Sequence, residues 1–330
     1  ILFNVHDNIC FPFFVDFVWS NIDDATRTMV KHQFGAANCV DLVNILRSDK
    51  EKRNQFRLQV GNKLNQEQLF ALNEVISLQC FSSGGEYSFL KLVYPQLKEI
   101  QGRVLDAGCG AGFASLVMGQ HVPVNSIDAS RSRVERAASL AQMMAEGDQK
   151  IFPRVMELIQ TELGELLQDI EFPRIDALIS GASQGIDFHC GSLDALPYPD
   201  QQFAAINCLD VLEHTYKPDD IIQQFYRVSR PGSQVFITVP TSYGAIDQQW
   251  HEFNDGNIFP AMLHMHHWTP ESMEEMFTRN GFKAREIRPF DYMPWSWFEE
   301  KCQAVGEKGN LLACQQDEVP LQIFAVFERE

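Results

Sequence analysis

"RVLDAGCGAGFAS", residues 103–115, sets three glycines at alternate positions directly behind a short apolar run. Strand, glycine-rich turn and helix start, in that order, form a nucleotide-binding element in several α/β folds. Glycine is costly to order, so Gly108, Gly110 and Gly112 imply a backbone that turns sharply or that something approaches closely. The spacing argues against a dinucleotide, because Phe113 stands where the third glycine of G-x-G-x-x-G belongs. No G-K-[ST] follows the turn, so it is not a P-loop.

Outward from this stretch, strand and helix patterns alternate from about residue 102 onward. Strands are expected over 103–107, 123–128, 186–190, 204–210 and 234–239, with a late pair at 283–288 and 321–328. Helices fit between them: 131–146, then 219–229 ending at "RPG" (230–232), then one from a Thr269 cap and Pro270 to Gly281. Such alternation predicts an α/β fold, a mostly parallel seven-stranded sheet with helices on both faces. Residues 1–100 read as helical, through Val40, Leu42, Val43, Ile45 and Leu46 and again through Leu69, Leu72, Val75, Ile76 and Leu78. "SSGG" (82–85) breaks that pattern. The division is therefore a helical region over 1–100 and an α/β domain over 101–330. About forty residues at 148–185 exceed a minimal alternating fold. In them Val155, Ile159, Leu163, Leu166 and Ile170 share a helical face, with Glu157, Glu162, Glu165 and Asp169 on the solvated side. They read as an inserted helix: a lid, a dimer contact or a packing element.

The chain has 330 residues, 45% of them apolar, and a net charge of −17. That composition builds a core, and the charge argues against nucleic acid and anionic membrane as partners. None of the eight cysteines forms a C-x-x-C pair, so no zinc knuckle or redox motif is expected. Cys190 and Cys208 fall in strands and read as buried, reduced thiols, which suits a cytoplasmic protein. The first twenty residues are interrupted by Asn4, His6, Asp7, Asn8, Pro12 and Asp16 and lack a basic start. Neither a membrane span nor a secretory leader is expected there.

The acidic residues say more about the ligand than the glycines do. Asp106 ends the first strand, where a carboxylate repels pyrophosphate and suits an ammonium group. Asp128 ends the second strand, where it can accept bonds from both hydroxyls of a ribose. A ligand with a ribose, no phosphate and a cationic end is implied, and S-adenosyl-L-methionine has all three.

"VLDAGCGAG" resembles the first motif of class I S-adenosylmethionine-dependent methyltransferases, and "VNSIDAS" (124–130) resembles the acidic loop after it. "GSLDALPYPDQQFAAINCLDVLEH" (191–214) is similar to a signature of the small-molecule branch, which includes ubiquinone-biosynthesis-like enzymes. "RVSRPGSQVFITVP" (227–240) and "HHWTPESMEEMFTRNGF" (266–282) resemble that branch's fifth strand and its last helix. The resemblance covers roughly 100–290 and implies a Rossmann-like fold. It also implies site roles. Gly108 and Gly110, in one turn with Cys109 and Gly112, would lie against the methionine part, and Asp106 would orient its amine. Asp128, followed by Ala129, would hold the ribose. Ser192, Leu193 and Asp194 would face the adenine, and Leu209 would line the methionine channel. Ser192 stands where the family often has Asp, so either Ser192 or Asp194 accepts the adenine amine's bond.

A hydroxyl acceptor needs a base within hydrogen-bond reach, and histidine suits that role near neutrality. His214 ends "VLEH" at the sheet edge that carries the cofactor; bracing of its loop is the other reading. The segment 241–268 adds His251, His264, His266 and His267 among Trp250, Phe253, Phe259 and Trp268. Tyr292, Trp295, Trp297 and Phe298 form a second aromatic cluster, either an acceptor pocket or ordinary core. His214, His251 and His264 are the catalytic candidates. His-x-His-His with Glu252 and Asp255 matches no metal motif, so no metal ligand is assigned. A small organic acceptor methylated on oxygen, aromatic or natural-product-like, is the favoured reading. Nitrogen or carbon methylation, or a non-catalytic S-adenosylmethionine-binding partner protein, are the alternatives. The first hundred residues would supply a cap, a homodimer interface or a docking element for a biosynthetic assembly.

Overall fold

Apolar residues alternate across the central strands, and each alternate set finds its own layer of helices. In the computed structural model, residues 23–38, 89–97, 99–110, 112–119, 121–145, 185–244, 264–296, 298–300 and 317–330 are described, with isolated positions 41, 42, 45, 52 and 55. Helix α1 (Asp24–Phe34) starts at Asp23, whose side chain accepts from the Thr26 amide, and stops at Gly35 in the left-handed conformation. A wide turn (Phe89–Val93) runs into the short α2 (Tyr94–Leu97). The alternating part follows: β1 (Val104–Ala107), α3 (Phe113–Met118), β2 (Val124–Asp128), α4 (Arg131–Ala145) and β3 (Ile186–Cys190). Next come β4 (Phe203–Leu209), α5 (Pro218–Val228), β5 (Ser229–Pro240), α6 (Pro270–Arg279), β6 (Phe282–Pro294) and β7 (Glu318–Arg329).

The seven strands form one sheet in the order β3-β2-β1-β4-β5-β7-β6. β1 to β5 pair in parallel, and β7 inserts antiparallel between β5 and β6. The mostly parallel expectation holds, with β7 as the reversed strand. Val104, Ala205, Phe236, Phe324 and Val326 face α2 and α3, packing on Leu97, Leu116 and Val117. Leu105, Ile206, Val235, Ile237, Ala325 and Phe327 face α5 and α6, packing on Ile222, Phe225, Met273 and Phe277. Phe277 and Phe327 stack with centroids 3.9 Å apart, fixing α6 on the antiparallel end of the sheet.

Two expectations change. "RPG" (230–232) does not separate helix from strand, because β5 already begins at Ser229 and Gly232 is absorbed at a positive φ of 78°. Cys190 is exposed, whereas Cys208 is buried. β3 is an edge strand, so the face that would cover Cys190 in a central strand is open to solvent. The helical pattern at 69–78 and the insertion, except Gly185, lie outside the described residues, as do His251, Trp250, Phe253, Phe259 and Trp297. No described helix is long and apolar enough to cross a membrane.

Candidate cofactor cleft and histidine cluster

Strand order reverses direction between β1 and β4, so the loops after β1, β2 and β4 diverge from one sheet edge and leave a crevice. The glycine turn fills that crevice, and its three glycines serve different ends. All three have positive φ, at 77°, 52° and 83°. A Cβ at Gly108 would come within 2.3 Å of Val211, and one at Gly112 within 2.7 Å of Ala137 and 3.2 Å of Phe188. These two glycines admit protein, namely the β4 loop and helix α4. Among the described residues nothing would lie within 4 Å of a Cβ at Gly110, so this is where the backbone is open to a ligand.

Asp106 is buried, 2% exposed, and lies behind the turn. The Ser115 hydroxyl donates to it, and Asn207 Nδ2 donates to its other oxygen at 2.8 Å. Ser126 Oγ in turn donates to Ser115 Oγ at 2.7 Å. Burial pushes the Asp106 carboxyl up to about 6 against these hydrogen bonds, and Asp128 nearby adds to the rise. Asn207 Oδ1 is buried without a partner among the described residues. Hydrophobic patterning alone does not single out Ser115, Ser126 and Asn207. The available signal was a polar residue inside an apolar central strand, as in "FAAINCL" and "VNSID".

Asp128 closes the turn against β2. It accepts from the Gly110 amide at 3.0 Å and the Ser130 amide at 2.8 Å, one on each oxygen. The second lone pair of each oxygen remains for a diol. Ala129 is exposed beside it. Gly191 N donates to Asp128 O at 3.0 Å, which brings the 192–194 turn to the same rim. There Ser192 and Asp194 are exposed and Leu193 is buried. Arg227 of α5 braces this loop by donating to the carbonyls of Tyr198 at 2.7 Å and Leu196 at 2.8 Å. Leu209 lies partly buried at the end of β4. Cys109 is buried and its thiol is held well above its usual value by burial and by Asp106 and Asp128, so it stays protonated.

After β4 the chain turns at Asp210, with a positive φ of 54°, into the short helical turn Leu212–His214. Met265 N donates to Glu213 O at 2.7 Å, and the His266 ring meets Thr215 O at 2.7 Å. Trp268 bridges to Thr241 in parallel fashion. These bonds carry His264 to His214, with ring centroids 4.8 Å apart. Burial, helped by His214 and His267, pushes His264 down to about 3, so its ring is neutral at pH 7. Glu213 is 1% exposed and burial pushes its carboxyl well up. His267 and Met265 are exposed. Trp295 and Phe298 pack on Tyr243 and Val319 as core, whereas Tyr292 is half exposed.

A mostly parallel α/β sheet with two carboxylates flanking an open glycine suits a nucleoside cofactor with a cationic amine. The residues fit S-adenosyl-L-methionine: among the described residues the space beside Gly110 is open, Asn207 Oδ1 lacks a partner, and both carboxylates keep accepting capacity. Residues 81–287 match the methyltransferase domain family, so the chain belongs to that family, and its cofactor is S-adenosyl-L-methionine. A ubiquinone biosynthesis O-methyltransferase of Pseudomonas entomophila is 31% identical over 137 residues, which cover 41% of this chain and 43% of that protein. A methyltransferase of Schizosaccharomyces pombe is 24% identical over 133 residues, 40% of this chain and 38% of that one. The chain thus aligns with less than half the length of these curated relatives. Among solved structures, an S-adenosylmethionine-dependent methyltransferase of Mesorhizobium loti matches 72% of this chain and 97% of its own. Its TM-score is 0.44 at 16% identity. The YcgJ protein of Bacillus subtilis matches the same shares with a TM-score of 0.46 at 15% identity.

Proposed function

We propose that the chain transfers a methyl group to an oxygen of a small organic acceptor, aromatic or natural-product-like. The bound cofactor would supply an electrophilic methyl group on a sulfonium. The protein's own part is to position the acceptor against the methyl group and to let the acceptor's proton leave. Asp106 and the open backbone at Gly110 hold the amino-acid end, Asp128 the ribose, and the Ser192–Asp194 turn the adenine.

The observation that carries the oxygen reading is the His214–His264 pair on the loops after β4 and β5. The pair meets the acceptor hydroxyl and fixes its orientation. Tyr216, 88% exposed, and the exposed Met265 lie in the two loop segments that carry these histidines and offer apolar surface to an acceptor. The relatives named as ubiquinone biosynthesis O-methyltransferases favour oxygen over nitrogen or carbon.

Calorimetry with S-adenosylhomocysteine and a methyl-transfer screen over phenols, catechols and aliphatic alcohols test this reading. His214→Ala is expected to keep the cofactor-product affinity and to lose roughly 10²-fold or more in turnover. Binding without transfer to any acceptor in the panel would overturn the enzymatic reading in favour of a cofactor-binding partner protein.

A further inference from the structure

Three side chains with metal-ligating atoms gather at the cleft mouth. One carboxylate oxygen of Glu213 and one ring nitrogen each of His214 and His264 all lie within 4.8 Å of one another. Glu213 is 1% exposed, yet its Oε2 has no hydrogen-bond partner among the described residues. Its Oε1 lies 3.9 Å from His214 Nε2, too far for a hydrogen bond. A buried carboxylate oxygen without a donor is strongly unfavourable, and it is kept only where something else satisfies it.

We propose that Glu213, His214 and His264 form a binding site for one divalent transition ion of the zinc class beside the cofactor cleft. A carboxylate with two imidazoles is a competent donor set for such ions, and three protein ligands leave at least one position open. The scaffold is suited to it. Glu213 and His214 are held by their helical turn, and Val211 just before it packs onto Gly108. His264 is held by the bonds from Met265 to Glu213 O and from His266 to Thr215 O. Ion–ligand distances of about 2.0–2.1 Å place tetrahedral ligands roughly 3.3 Å apart, so the widest pair closes by about 1.5 Å. His214, with 27% of its side chain exposed, has room to do so.

The role of the ion rests on the oxygen-methylation reading above. An acceptor hydroxyl takes the open position and its proton passes to solvent water. Its ion-bound oxygen then forms the O–CH3 bond as the sulfonium S–CH3 bond breaks, and S-adenosylhomocysteine leaves with the electron pair on sulfur. The two imidazoles then act through the ion.

The test uses the full chain stripped with a chelator and titrated with Zn²⁺, followed by Co²⁺ for its visible spectrum. One Zn²⁺ per chain at micromolar or tighter affinity is expected, with a Co²⁺ band of low coordination number. Glu213→Gln, nearly isosteric, and His264→Ala should each weaken Zn²⁺ at least tenfold. Both variants should bind S-adenosylhomocysteine within threefold of wild type, which also reports that they fold. No saturable Zn²⁺ binding, or equal affinity in wild type and both variants, would overturn the site in favour of diffuse attraction to an acidic surface. Failure of wild type to bind S-adenosylhomocysteine would sink the cofactor reading while leaving the Zn²⁺ result to stand by itself.

Discussion

Asp106 meets two opposed demands, one from folding and one from the cofactor. Burial lifts its carboxyl from 3.8 to about 6, so between those values the folded chain holds a proton that the unfolded chain releases. The stability contributed by this group therefore falls as pH rises from about 4 to about 6, by about 3 kcal/mol. Asp106→Asn removes the titration, and a flip of the Asn207 amide can supply an acceptor to the new amide group. Urea melts should find the variant equal to wild type near pH 4 and up to about 3 kcal/mol more stable at pH 7. The cofactor's amine needs the ionised carboxylate, so its affinity should weaken as pH falls through about 6, roughly tenfold per unit. Calorimetry at pH 7.5 and pH 5 checks this. Asp128→Ala strips the Gly110 and Ser130 amides of their acceptor. S-adenosylhomocysteine binding should weaken at least tenfold, since bonds to a charged group are worth about 1.5–3 kcal/mol.

At the scale of single elements, the glycine turn separates stability from binding. Gly112→Ala forces a left-handed alanine and a clash with Ala137, so a loss of about 2–4 kcal/mol is expected in denaturant melts. The Cβ of Gly110→Ala meets no atom of the described residues within 4 Å. It should cost only about 1–2 kcal/mol of stability while weakening the cofactor tenfold or more, because its Cβ enters the ligand's space. The loop after β3 depends on Arg227. Removing that side chain in Arg227→Ala leaves the Leu196 and Tyr198 carbonyls without their donor, a loss of about 1–3 kcal/mol. Faster amide exchange over 192–203, with a weaker adenine contact, is the measurable sign.

At the scale of the molecule, parallel β1–β5 place Asp106, Asp128 and the Asp210–His214 turn at one edge, and β7 closes the far side antiparallel. A ligand that bridges loops from three strands stabilises them jointly. S-adenosylhomocysteine at a hundredfold its dissociation constant should add about 2.7 kcal/mol, and a thermal melt should rise by several degrees. Much of this frame was legible in the chain. β3 matches its expected bounds, and α6 begins at Pro270 after a Thr269 cap whose side chain accepts from Ser272 N. Such features are local: hydrophobic periodicity, caps and breakers act over a few residues. The β5 start was missed because "RPG" breaks helices and yet lies on a strand, where Gly232 absorbs the turn in backbone direction.

The sequence by itself determined the alternating α/β order, the glycine turn between β1 and α3, and the acidic ends of β1 and β2, because each is written within one element. Only the tertiary structure decided which glycine is open, since Val211 and Ala137 reach Gly108 and Gly112 from distant parts of the chain. It also decided that Asn207 braces Asp106 across 101 residues, through the pairing of β1 with β4. His264 meets Glu213 and His214 for the same kind of reason. Fifty residues of chain separate the two histidines, and backbone bonds between two loops at one sheet edge bring them together.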